Sequence, residues 1–199
     1  MKSVLISIKP KWCELIANGK KTIEVRKTRP KCDMPFKCYI YCTLSELLTK
    51  SHFNGEIYAT NKRHQNALER NGNTTLSGKV IGEFICNKID RLAVCGYDNR
   101  NMELRRIDNN LTAYDLDYDY LNKCQLSPNN LKKYSNGSGL YGWHISDLVI
   151  YDKPKELTSF ASASSVLTFS DTKDGFPWRW SGMEIPPQSW CYCEEHNND

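Results

Sequence analysis

No apolar run in the 199 residues approaches the roughly 20 that a membrane helix needs. The start, M-K-S-V-L-I-S-I-K-P, is apolar only briefly; a lysine interrupts it and no small-residue cleavage site follows. It reads as a strand, not a secretory leader, and the expectation is a cytosolic protein with no membrane association. G-x4-G-K-[ST] does not occur, so that glycine-rich phosphate cradle is excluded; G-x-G-x-x-G occurs once, at Gly137 to Gly142, but after a helix and leading into a strand, the reverse of the strand-to-helix order a dinucleotide cradle needs. No internal repeat is visible. The Asp/Tyr alternation at 114–120 lacks the glycine and distal glutamate of a calcium-binding EF-hand loop, which leaves a solvated helix face as the plainer reading.

Cysteine, by contrast, is abundant: nine residues. An odd count without a leader points to free thiols rather than a disulfide set. Cys38 and Cys42 fall on one face of a strand, and Cys13 and Cys86 sit among apolar residues, where a thiol behaves as a small hydrophobe. One cluster has a metal-like look, Cys191-Tyr-Cys193-Glu-Glu-His196. Zinc sites usually bring C-x2–4-C pairs, so C-x-C-x2-H at a chain end does not amount to a site, and no metal or cofactor is expected.

The net charge of +4 is unevenly divided. Residues 1–100 carry +9 and residues 101–199 carry −5. A basic first half suits a polyanion such as RNA, or a phosphate-bearing ligand; ordinary lysine-rich solubility is the alternative.

The chemistry concentrates in G-K-K-T-I-E-V-R, residues 19–26. Pro10 opens a helix carrying Trp12, Leu15 and Ile16, and Asn18-Gly19 stops it. Thr22, Ile23 and Val25 are strand formers, so alternation places Glu24 and Arg26 on one face with Lys20 and Lys21 at its entrance. Such a group can grip an anion and move protons. Equally, it can be a solvated strand face whose ion pairs contribute about 0–1 kcal/mol.

Further strands are expected at 3–9, 36–43, 78–90 and 141–152. Gly82 within the third signals a bulge or a close backbone approach. Glu83 follows it between apolar neighbours. Ser127-Pro128 starts a short helix that ends at Asn136-Gly137. Residues 44–77 read as an insertion of loose structure, with Lys62, Arg63, His64 and Arg70 extending the basic surface. Residues 91–136 read as a second, acidic insertion. Trp178, Trp180 and Trp190 argue that the ending packs on something or offers stacking faces.

Taken together, S-I-K-P-K-W-C-E-L-I-A-N-G-K-K-T-I-E-V-R-K resembles the opening of an ASCH domain, a relative of the PUA RNA-binding fold. The family's G-x-K-x-x-E-x-R signature is matched by Gly19, Lys21, Glu24 and Arg26. G-K-V-I-G-E-F-I-C-N-K-I and Y-G-W-H-I-S-D-L-V-I-Y-D-K-P-K-E-L are similar to its central and closing strands, and P-P-Q-S-W-C-Y to the ending of small bacterial and phage-borne members.

The resemblance implies an α+β fold: a small mixed β-barrel over residues 1–160 with flanking helices and the two insertions, and a Trp-rich extension at 161–199 packing on it. It implies RNA or a nucleotide-like ligand held in a cleft by Lys20, Lys21, Glu24, Arg26 and Glu83, with Trp12 as a stacking face. Some relatives are amidohydrolases acting on N4-acetylcytidine through a lysine, a threonine and a strand glutamate. Here Lys21 and Glu83 match the lysine and the glutamate, but the threonine position is Glu24. A hydrolase, on a modified nucleoside or on RNA with Lys21, Glu24 and Glu83 as its catalytic set, is therefore the alternative to a binder. A phage-encoded module contacting a host protein through the insertions is the third reading. If Glu24 and Glu83 converge, one of them is expected to hold a proton near neutral pH.

Overall fold

The computed structural model describes residues 3–45, 76–96, 103–162 and 182–195. Most of the 44–77 insertion, Trp178, Trp180 and His196 lie outside the described residues. The chain divides into two compact units. The first comprises residues 1–14, 36–84 and 148–199; the second comprises 15–35 and 85–147.

The first unit is built on a six-stranded sheet. Its strands are β1 (Ser3–Ile8), β3 (Phe36–Cys42), β4 (Val80–Cys86), β9 (Ser146–Lys155), β10 (Phe160–Ser162) and β11 (Trp190–Glu195), in the order β10-β11-β1-β3-β4-β9. β1 runs parallel to β3 and antiparallel to β11. A continuous apolar run such as V-L-I-S-I suits a strand covered on both faces, and Val4 to Ile8 are all buried. Leu5, Tyr39, Tyr41, Val80, Leu157, Phe160 and Cys193 form one core cluster. The described part of the Trp-rich ending is thus a strand of this sheet, between β10 and β1.

The second unit carries an antiparallel sheet in the order β2-β8-β5-β6-β7: β2 (Ile23–Arg26), β8 (Leu140–His144), β5 (Ile89–Cys95), β6 (Glu103–Ile107) and β7 (Ala113–Tyr114). Two helices, α2 (Tyr118–Cys124) and α3 (Pro128–Ser135), cover one face. Ile23, Val25, Leu92 and Leu140 from the strands meet Tyr120, Cys124 and Leu131 from the helices. Ser127 caps α3 and Asn136 ends it in the left-handed conformation, at the residues where the sequence places start and stop. The stretch 91–136, expected as an insertion, supplies β6, β7 and both helices of this unit.

The fold is α+β, but the described strands form two open sheets rather than the closed barrel expected. Two expected strands are each divided. Residues 78–90 give β4 and β5, which belong to different sheets, and 141–152 likewise gives β8 and β9. At neither break does a glycine–proline turn signal interrupt the apolar pattern, so periodicity alone joins what the chain separates. Gly82 marks a close approach: a Cβ there would stand 2.3 Å from the Val149 carbonyl oxygen. All nine cysteines are free. Burial pushes the Cys86 and Cys124 thiols up to about 12, as suits inert packing groups.

Candidate functional site

The helix α1 (Pro10–Ala17) ends where Asn18-Gly19 predicts. Gly19 has φ +69°, and its N–H donates to the Ile16 carbonyl, while the N–H groups of Lys20 and Lys21 both reach the Leu15 carbonyl. This tight exit fixes the direction in which the chain enters β2. Thr22 then joins the second unit by donating its N–H to the carbonyl of Lys123, near the end of α2.

All four residues of β2 are buried, which rules out the solvated strand face. Lys21 is 2% exposed, Glu24 6% and Arg26 8%. Glu24 and Arg26 share a face, opposite Trp143 and Tyr141 of β8. The Glu24 carboxylate takes both cations: Oε2 lies 3.3 Å from Lys21 Nζ, and Oε1 lies 3.0 Å from Arg26 Nε. Lys21 Nζ also donates to the carbonyl of Cys124, the last residue of α2, at 2.6 Å. A helix C-terminus carries partial negative charge, so this contact offsets part of the ammonium's charge. Lys21 thereby ties the end of α2 to β2.

Beside this triad stands Tyr134, in the last turn of α3. Lys27 Nζ lies 5.3 Å from the centre of its ring. Burial pushes its phenol pKa up; the Arg26 charge pulls it down, Glu24 pushes it up, and a hydrogen bond with the Lys27 backbone pulls it down. The ring is nevertheless 40% exposed. Sequence reasoning missed Tyr134. The available signal was its helical spacing from the buried Leu131, which turns it toward the sheet. Lys20, expected at the entrance, is exposed.

Glu83 and Trp12 belong to the first unit. Lys37 Nζ donates to Glu83 Oε1 at 2.7 Å, and Tyr151 Oη donates to Oε2 at 2.5 Å. Burial alone would raise the Glu83 pKa, but these two hydrogen bonds and the charges of Lys37 and Lys155 outweigh it and hold the carboxylate below its ordinary value. These partners favour the ionised form of Glu83. Trp12 is half-buried on α1, with Lys11 Nζ 5.1 Å from its ring centre. Among the described residues, no group of three His, Cys, Asp or Glu side chains converges as a metal site, and no helix is long and apolar enough to cross a membrane.

No family model and no curated protein matches the chain. Among solved structures, an ASCH protein from Zymomonas mobilis aligns with 96% of this chain and 87% of its own, with a TM-score of 0.50 and 18% identity. Two point variants of that protein align at 17% and 18% identity with TM-scores of 0.49 and 0.48, covering 96% of this chain and 90% and 87% of theirs. The first alignment shows the fold: this chain has an ASCH fold.

Proposed function

We propose that the protein binds single-stranded RNA or a nucleotide at the surface formed by Lys21, Glu24, Arg26, Lys27 and Tyr134, with Lys20 at its entrance. One observation carries the reading: two buried cations share one carboxylate beside a half-exposed aromatic ring. Glu24 neutralises one positive charge and the α2 terminus offsets part of the other. A lysine and an arginine gathered at one place favour a phosphate, and the Arg26 guanidinium has the fork geometry that phosphates match. Tyr134 supplies a face on which a base stacks, with Lys27 beside it for the backbone.

Binding is preferred over hydrolysis because hydrolysis needs a base free to take a proton. Glu24 is engaged by Lys21 and Arg26, and Glu83 by Lys37 and Tyr151. In this reading Glu24 orients the two cations and Glu83 serves within its own unit.

The test is fluorescence anisotropy with a short labelled single-stranded RNA over a salt series, alongside mass spectrometry of the RNA and of N4-acetylcytidine after incubation. The expected result is binding that weakens linearly on a log–log salt plot, with a slope near −0.7 per phosphate contacted, and no new product. Arg26→Gln should lower affinity by roughly 10- to 100-fold. Equal affinity of the variant and wild type at low salt would sink the assignment of the site. Time-dependent cleavage or deacetylation would transfer it to the hydrolase.

A further inference from the structure

The second unit contains another polar cleft, of about 440 Å³, whose lining residues include none of the triad. It lies over β5, β6 and β7, and Lys88, Asp90, Arg106, Asp108 and Tyr114 supply its polar and aromatic surface. The volume is in the usual range for small-molecule sites.

The charges in this cleft are not equally engaged. Asp90 is buried and doubly held, with Oδ1 3.1 Å from Lys88 Nζ and Oδ2 2.7 Å from His144 Nε2. Asp108 folds the β6–β7 connection. Its Oδ1 accepts the N–H groups of Asn110 and Thr112, and its Oδ2 accepts the Tyr114 hydroxyl at 3.2 Å. Arg106 differs. Its guanidinium carbon lies 5.6 Å from the Tyr114 ring centre and 5.8 Å from that of Tyr120, and among the described residues the side chain makes no ion pair or hydrogen bond. Two aromatic faces hold a half-buried guanidinium in place while its N–H donors are left unengaged by the protein.

The hydroxyl of Tyr120 is buried in the same neighbourhood, where burial first and then the nearby thiol and Asp90 carboxylate push its pKa up. It rests on Gly142, where a Cβ would come within 2.2 Å of it, and Gly142 is the register partner of Asp90. Tyr120 can approach the sheet this closely only because position 142 lacks a side chain, and its ring then forms one of the two supports for Arg106.

We infer that this cleft is a second binding site, in which Arg106 receives the phosphoryl group of a small ligand whose flat ring lies against Tyr114 and the apolar lining of Met34, Ile89 and Ile107. A nucleoside monophosphate has this chemistry. A planar guanidinium fixed on aromatic rings is pre-organised for bidentate contact with phosphate. The carboxylates of Asp90 and Asp108 do not compete for it, because other groups already engage both. Tyr114, 43% exposed, has ring surface to offer. The inference does not depend on the function proposed for the Lys21–Glu24–Arg26 surface.

Isothermal titration calorimetry of the full chain with a nucleoside monophosphate, and separately with inorganic phosphate, tests it. The expected result is binding of both, with the nucleotide tighter, and a loss of roughly 10- to 100-fold in Arg106→Gln. Arg106→Lys, which keeps the charge and loses the fork, should fall between. Circular dichroism and thermal melting establish that both variants fold. Tyr114→Ala should weaken the nucleotide and leave inorganic phosphate nearly unchanged. In an Arg26→Gln background, which weakens any nucleotide binding at the first site, Arg106→Gln should still lower monophosphate affinity by the same factor, which separates this cleft from the first site. A short RNA without terminal phosphates, added as competitor, distinguishes a phosphodiester source from a free monophosphate. Wild-type and folded Arg106→Gln protein binding the monophosphate equally, or neither binding at millimolar concentration, would overturn the proposal.

Discussion

The two units each hold a cluster of buried or half-buried lysine and glutamate, and they balance charge differently. In the first unit Glu83 takes Lys37 and Tyr151, while Glu195 takes Lys155 and Tyr39. Each carboxylate has one ammonium and one phenol. Lys37 and Lys155 also lie over the rings of Tyr39 and Tyr151 respectively. Every positive charge in this network meets a negative one. In the second unit, Glu24 faces both Lys21 and Arg26. Composition is similar but stoichiometry is not. A one-to-one network is complete as a structural device, whereas two cations on one carboxylate suit the anion-binding role proposed for the second unit.

The largest effect should come from removing the shared carboxylate. Glu24→Gln removes the carboxylate that two buried cations share, and breaking a buried pair costs roughly 3–5 kcal/mol. Urea unfolding should show a midpoint far below that of wild type, and added polyphosphate should restore part of the loss if the site takes an anion. A change below about 1 kcal/mol would mean that the two cations are compensated elsewhere, and the comparison between the units would collapse.

A smaller effect separates the units by pH. The Glu83 pKa is held below its ordinary 4.5 by hydrogen bonds and positive charge that overcome burial. In the second unit Asp90 is held below 3.8 in the same way, by His144 and Lys88. A carboxylate with a depressed folded pKa contributes stability that is present above its unfolded value and lost as pH falls through the folded one. Stability should therefore decline on acidification below about pH 4.5. Glu83→Gln and Asp90→Asn should each lose stability at pH 7 and flatten that decline, as followed by thermal melting between pH 7 and pH 2.5. An unchanged acid slope in both variants would remove these groups from the acid response.

Much of the second unit's signature region was legible in the sequence. Asn18-Gly19 announced the helix stop, and alternation correctly placed Glu24 and Arg26 together. Their burial was not legible. A strand with charges at alternate positions looks half-solvated, and only the pairing with β8, whose Trp143 is fully buried, shows otherwise. Glu83 illustrates the opposite gap. Its partners Lys37 and Tyr151 lie 46 and 68 residues away. No local pattern encodes such contacts, so a motif-based reading could assign the residue to a cleft but not see what holds it. Arg106 escaped for a third reason: its rings, Tyr114 and Tyr120, sat in an acidic stretch that read as a solvated face. The barrel expectation came from resemblance, and the apolar runs at 78–90 and 141–152 gave no sign that each divides between two sheets.

The smallest effect is also the most discriminating for the open cluster, because it concerns a residue that can be changed without disturbing the buried charges. If Tyr134 is a stacking face, its ring matters to the ligand and its hydroxyl does not. Tyr134→Phe should leave RNA affinity nearly unchanged, whereas Tyr134→Ala should cost about 1–3 kcal/mol of binding, the range for one base stacked on an aromatic side chain. Lys27→Ala, which removes the cation above that ring, should lower affinity modestly and reduce the salt slope by about one phosphate contact. Affinity that falls equally in the Phe and Ala variants would instead assign the hydroxyl a hydrogen-bonding role. The open charge of the second unit would then be read by polar contact alone, with no base stacked on α3.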